Sequence, residues 1–115
     1  MTWPLLRGQV VLADIGLEEP KLLVVVSNNR RNQRLPQVLA ARLTTTRKPS
    51  IPSIVELNHP EVFVGRVSCD DIVEVYENEV LEVRGALSPR AMRAVGAGLA
   101  AALDLPNLGW PTGRQ

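Results

Sequence analysis

Three hydroxyls in a row, Thr44-Thr45-Thr46, stand between Arg42 and Arg47, and a second polar cluster, Asn28-Asn29-Arg30-Arg31, follows an apolar run. Cations set among short polar donors suit an anionic partner, phosphate above all. The charge distribution supports this. Seven bases and no acid lie between Lys21 and Val55, whereas eight acids and a single base, Arg66, lie between Glu56 and Glu82. A net charge of +1 therefore hides a segment able to carry a local positive field. The alternative is that these arginines only solubilise loops and pair with the acidic stretch.

Other chemistries lack their parts. His59 is the only histidine and Cys69 the only cysteine. A histidine pair for acid–base work, an intrachain disulfide and a structural zinc site of the usual ligand types are thus excluded within one chain. Neither a GxxxxGK[ST] loop nor a GxGxxG turn is present. Asp70, Asp71 and Glu74 could in principle hold Mg²⁺, but such a group reads more simply as a solvated acidic edge. His59, between Asn58 and Pro60, reads as a structural or exposed turn residue. No metal or cofactor is expected.

Short strands must position the hydroxyls and cations. The chain has 115 residues, 45% of them hydrophobic and 3% aromatic, enough for one domain with a core of Val, Leu, Ile and Ala. Strands are predicted over 9–14, 22–26, 38–43, 54–57, 62–68 and 81–84, with a polar loop over 30–36. Residues 22–26 are apolar without alternation, which suits a buried central strand. Ser88 and Pro89 then form a helix N-cap and first turn, and Met92, Val95, Leu99 and Leu103 form one apolar stripe. Gly96 and Gly98 weaken this helix, so packing must support it. Leu105-Pro106 ends it. Residues 1–106 form the expected single domain, and 107–115 a flexible tail. No apolar run approaches the roughly 18 residues of a membrane span, and the N-terminus lacks the features of a signal peptide. A soluble, cytoplasmic protein is expected.

Five segments follow one another along the chain. They are Arg7-Gly8-Gln9-Val10-Val11, then Glu19-Pro20-Lys21-Leu22-Leu23-Val24-Val25-Val26-Ser27-Asn28-Asn29, then Ala41-Arg42-Leu43-Thr44-Thr45-Thr46-Arg47. Ile51-Pro52-Ser53-Ile54-Val55-Glu56-Leu57 and Leu87-Ser88-Pro89 complete the series. In this order and spacing, over residues 6–105, the chain resembles the MazF/PemK family of toxins.

The resemblance implies a mainly β (α+β) fold, an SH3-like small antiparallel barrel with a C-terminal helix, assembled as a homodimer. It implies the toxin of a type II toxin–antitoxin system, a metal-independent endoribonuclease that cuts single-stranded mRNA at short sequences and is inhibited by a cognate antitoxin. The family places a basic residue at the start of strand two and a threonine at the end of strand three beside the scissile phosphate. Here these are Lys21 and Thr44, the catalytic candidates. Glu19, Asn28, Asn29, Arg30, Arg31, Arg42, Thr45 and Arg47 are the candidate RNA contacts. RNA carries its own nucleophile, the 2′-OH, so the protein need only manage protons and stabilise phosphorane charge.

Three differences from the commoner family pattern stand out. Lys21 replaces the usual arginine, exchanging a bidentate fork for a point charge. The loop over 16–20 is short. Around Cys69-Asp70-Asp71-Ile72-Val73 the family's frequent glutamine and arginine are missing. Lys21 also reads as an edge-strand gatekeeper and Thr44 as an ordinary strand former. Two other functions stand beside this one: a non-catalytic RNA-binding module, and a CcdB-like poison of a topoisomerase, which would not need the basic residues and hydroxyls to converge.

Overall fold

A computed structural model describes residues 1–106; the predicted tail, 107–115, lies outside the described residues. Six strands form one antiparallel sheet: β1 (Gln9–Ala13), β2 (Lys21–Val25), β3 (Gln37–Thr44), β4 (Ile54–Leu57), β5 (Gly65–Tyr76) and β6 (Val80–Ala86). One helical turn, α1 (Asn29–Asn32), follows β2, and a longer helix, α2 (Pro89–Leu103), follows β6. The sheet order is β4-β5-β3-β2-β1-β6. Closure into a barrel requires every strand to have two partners. Among the described residues no ladder joins β4 to β6, so the sheet is open and these are its edges.

Alternation along the strands divides the side chains between two cores. Val10, Val24, Ala41 and Leu43 pack towards Met92 and Val95 of α2. Val11, Leu23, Val25, Val38 and Ala40 point the other way, where the N-terminal Leu5 lies among them. Burial of both faces explains the unbroken apolar run at 22–26. It also removes the gatekeeper reading of Lys21, because β2 is central and not an edge.

Strand β5 is longer than the predicted 62–68. Its register with β3 jumps between Ala41–Ile72 and Arg42–Ser68, so residues 69–71 bulge out and the strand bends. Before the bend β5 also pairs with β4, with Ser68 opposite Ile54. The polar loop expected at 30–36 begins instead inside α1, whose N-cap is Asn28.

The caps of α2 follow the sequence reading. The Ser88 hydroxyl accepts a hydrogen bond from the Ala91 amide at 3.0 Å, and Pro89 sits in the first turn. The predicted stripe fails at its end: Leu103 is 57% exposed, while Ala102 packs against the core. At 3.6 residues per turn position 102 lines up with Val95, whereas Leu103 is the last residue of the helix.

Gly98 is buried where α2 packs against Val55 of β4 and Cys69 of β5. An added Cβ would lie 2.7 Å from Val55 Cγ2 and 2.9 Å from Cys69 Sγ. Helix propensity alone would make Gly98→Ala stabilising by up to about 1 kcal/mol. Overpacking opposes it and wins, so the variant is expected to lose about 1–3 kcal/mol. A denaturant midpoint equal to or above wild type would contradict this. Cys69 is itself fully buried, and burial, with Asp70 adding to it, pushes its thiol up to about 11. It is a packing residue, not a nucleophile.

No helix among the described residues is long and apolar enough to cross a membrane.

Candidate active site

Lys21 opens β2 and Thr44 closes β3. The paired register of these strands runs through Val25–Ala40, Val24–Ala41 and Leu23–Arg42. Carried two residues further it sets Lys21 opposite Thr44, on the same face as Arg42. Beyond the last paired rung a cleft of about 250 Å³ opens between the strand ends, lined by Pro20, Lys21, Arg42, Thr44, Thr45 and Thr46 among others.

Backbone and side-chain bonds orient these groups. The Thr44 hydroxyl oxygen accepts the Thr46 amide at 3.0 Å, which leaves its own proton free to be donated. Arg42 Nη1 lies 3.3 Å from the Asp71 carboxylate, which fixes the guanidinium at the cleft wall. Its Nε is buried without a hydrogen-bond partner among the described residues. Asp70 accepts from the Ser53 hydroxyl at 2.7 Å, and Glu74 from Gln37 at 2.9 Å. The three acids once grouped as a possible Mg²⁺ site thus have three separate partners.

The candidate RNA contacts divide. Arg42 and Thr45 line the cleft with Lys21 and Thr44. Glu19 and Arg47 are exposed close by in sequence, but neither lines it. Asn28, Asn29, Arg30 and Arg31 stand at the other end of β2, roughly 20 Å from Lys21 at about 3.3 Å per residue. Their side chains are partly committed to the fold. Asn28 Oδ1 accepts the Arg31 amide at 2.8 Å, Asn29 Oδ1 accepts the Arg7 amide at 2.7 Å, and Arg31 donates to the Gln37 carbonyl at 2.9 Å. Arg30 remains exposed.

Sequence reasoning passed over Arg66. It reaches from β5 to Glu56 of β4 and to the backbone of Thr45 and Thr46. Its hydrogen bond holds the Glu56 carboxyl below the usual carboxylate range. The one signal available was its isolation among eight acids.

An open antiparallel sheet, backed by one helix and carrying a cation–hydroxyl cleft at a strand end, is a small β-rich fold suited to an anionic ligand. The sequence profile of the PemK-like, MazF-like toxins of type II toxin–antitoxin systems matches residues 6–103, and the chain belongs to that family. Endoribonuclease MazF1 of Mycobacterium bovis and endoribonuclease MazF4 of Mycobacterium tuberculosis are each 39% identical to it over 106 residues, 92% of this chain and 96% of theirs. Among solved structures, a mycobacterial endoribonuclease in complex with its cognate antitoxin superposes with a TM-score of 0.82 at 38% identity, covering 93% of this chain and 99% of that one. The MazE–MazF complex of Deinococcus radiodurans superposes at 0.75 with 17% identity, covering 91% and 100%, which extends the likeness in fold.

Proposed function

We propose that this chain is a toxin that cuts single-stranded RNA without a metal ion, at the cleft between Lys21 and Thr44. The observation that carries the reading is their placement opposite one another, with the Thr44 hydroxyl held as a donor. In the reaction the RNA 2′-OH loses its proton and attacks the adjacent phosphorus, and the bond to the 5′-oxygen breaks as that oxygen gains a proton. A 2′,3′-cyclic phosphate and a 5′-hydroxyl result. Lys21 and the Thr44 hydroxyl stabilise the extra charge on the non-bridging oxygens. Arg42, Thr45 and Arg47 hold neighbouring nucleotides, while Glu19 and the turn at 28–31 act further along the strand.

The same reading gives the chain a cognate antitoxin and a second copy of itself as partners, and a cytoplasmic place of action. The antitoxin is supported by the mycobacterial relative that is bound to its own. The homodimer is supported by the free β6 edge and by exposed Leu81 and Leu103. We read residues 1–106 as one domain. The bent sheet is read as an SH3-like barrel left open between β4 and β6.

Purified protein incubated with mixed-sequence RNA in excess EDTA tests the function. Discrete fragments with 5′-hydroxyl ends are expected. Cleavage that stops in EDTA and returns with Mg²⁺ would move the chemistry to Asp70, Asp71 and Glu74. Retention of uncut RNA would indicate a binding module, and neither result a protein poison.

A further inference from the structure

Glu56, Arg66 and Thr44 occupy one rung across three strands: Glu56 pairs with Arg66 between β4 and β5, and Arg66 with Thr44 between β5 and β3. All three guanidinium nitrogens of Arg66 are engaged along this line. Nε and Nη2 grip the Glu56 carboxylate at 2.8 and 3.1 Å, while Nη1 donates to the carbonyls of Thr45 at 3.0 Å and Thr46 at 2.9 Å. The neighbouring Gly65 has φ of +109°, and a Cβ there would stand 2.4 Å from the Thr44 carbonyl oxygen. The backbone of β5 therefore presses against the end of β3 at a distance only glycine permits.

We propose that Arg66, braced by Glu56, is a positioning residue that sets the Thr44 hydroxyl by clamping the chain just after it. The inference rests on the assignment of Thr44 above. Its logic is local. Thr44 ends β3, and every residue from Thr45 to Pro52 is exposed, so nothing in the core holds this segment. The direction of the Thr44 hydroxyl depends on the Thr46 amide, and the position of Thr46 depends on Arg66. Without the clamp the segment frays, the amide leaves Thr44 Oγ1, and the hydroxyl rotates freely. Lysine cannot replace the fork, since one ammonium does not grip a carboxylate bidentately and two carbonyls together.

Two measurements on the full chain test this. The first needs no activity. In Arg66→Gln, hydrogen exchange at the Thr46 amide should speed up by at least about tenfold, while the Val24 and Val25 amides keep wild-type rates. An unchanged Thr46 rate overturns the clamp, whatever the chain does to RNA. The second is a cycle with Thr44→Val, read as cleavage of single-stranded RNA. Arg66→Gln alone should lower kcat roughly 10- to 100-fold with KM nearly constant, the scale of a misplaced reacting group. Arg66→Lys should recover only part of the loss. In the Thr44→Val background Arg66→Gln should cost less than about twofold, because its effect passes through Thr44. An equal loss in both backgrounds overturns the proposal in favour of general destabilisation. Glu56→Gln, which keeps the carbonyl contacts, should show the same pattern more weakly. If the wild-type chain cuts no RNA, the proposed function fails, and the exchange experiment still decides the clamp.

Discussion

Lys21→Ala and Thr44→Val will each slow RNA cleavage by at least about a hundredfold while leaving the fold intact, the scale expected for removing a preorganised electrostatic group. Neither side chain belongs to the buried core. Lys21 is half-buried at the start of β2, and Thr44 is half-buried at the end of β3. Thermal midpoints should therefore stay close to wild type, and the loss should appear in kcat. Lys21→Arg should keep substantial activity, since a guanidinium at this position supplies the same charge with two donors in a fork. The Thr44→Val change is close to isosteric and removes only the hydroxyl. Rates near wild type in both disabling variants would refute the site.

Binding of a non-cleavable single-stranded RNA should weaken steeply with salt. Lys21 and Arg42 line the cleft, Arg47 and Lys48 follow its threonines in the chain, and each neutralised phosphate contributes about 0.7 to the log–log slope for a single strand. Three or four contacts give a loss of roughly 20- to 50-fold between 50 and 200 mM salt. Arg42→Ala should lower the slope by less than Arg47→Ala does. Asp71 already neutralises Arg42 in part, whereas Arg47 has no ion-pair partner among the described residues. The sequence preference should barely change in either variant. Duplex RNA should bind poorly, because its base edges are not presented to a surface of this kind. Salt-independent binding would reduce the basic segment to a solvated face.

The elements that sequence reasoning found are those whose signal is local. The apolar run at 22–26, the strand at 54–57 and the Ser88-Pro89 cap are each encoded within a few residues, and all three are present. The length of β5 was missed because its bulge carries Asp70 and Asp71 through the middle of a strand, where acids argue against one. Helix α1 was missed because four residues give no periodicity, although Asn28 was there to be read as its cap. For the site, residue types pointed to Arg42 and the threonines, the family resemblance singled out Lys21 and Thr44, and the β2–β3 register carried past Leu23–Arg42 sets these residues side by side. Asn28 and Asn29 looked equally suited to RNA, yet their oxygens serve backbone amides, a use that amide side chains share with base recognition. Arg66 was invisible for the opposite reason. Two of its four bonds end on backbone carbonyls, which every residue possesses.

The hairpin joining β1 to β2 separates the placement of Lys21 from the loop that precedes it. Lys21 pairs directly with Ala13 in the ladder, so its position is set by the frame and not by residues 14–20. Those seven residues are solvent-facing apart from the half-buried Ile15. Doubling their number would cost only about 0.6 kcal/mol in closure entropy. The approach to the cleft is therefore a replaceable module: its length, charge and stiffness can be rewritten by grafting while Lys21 stays registered on Ala13.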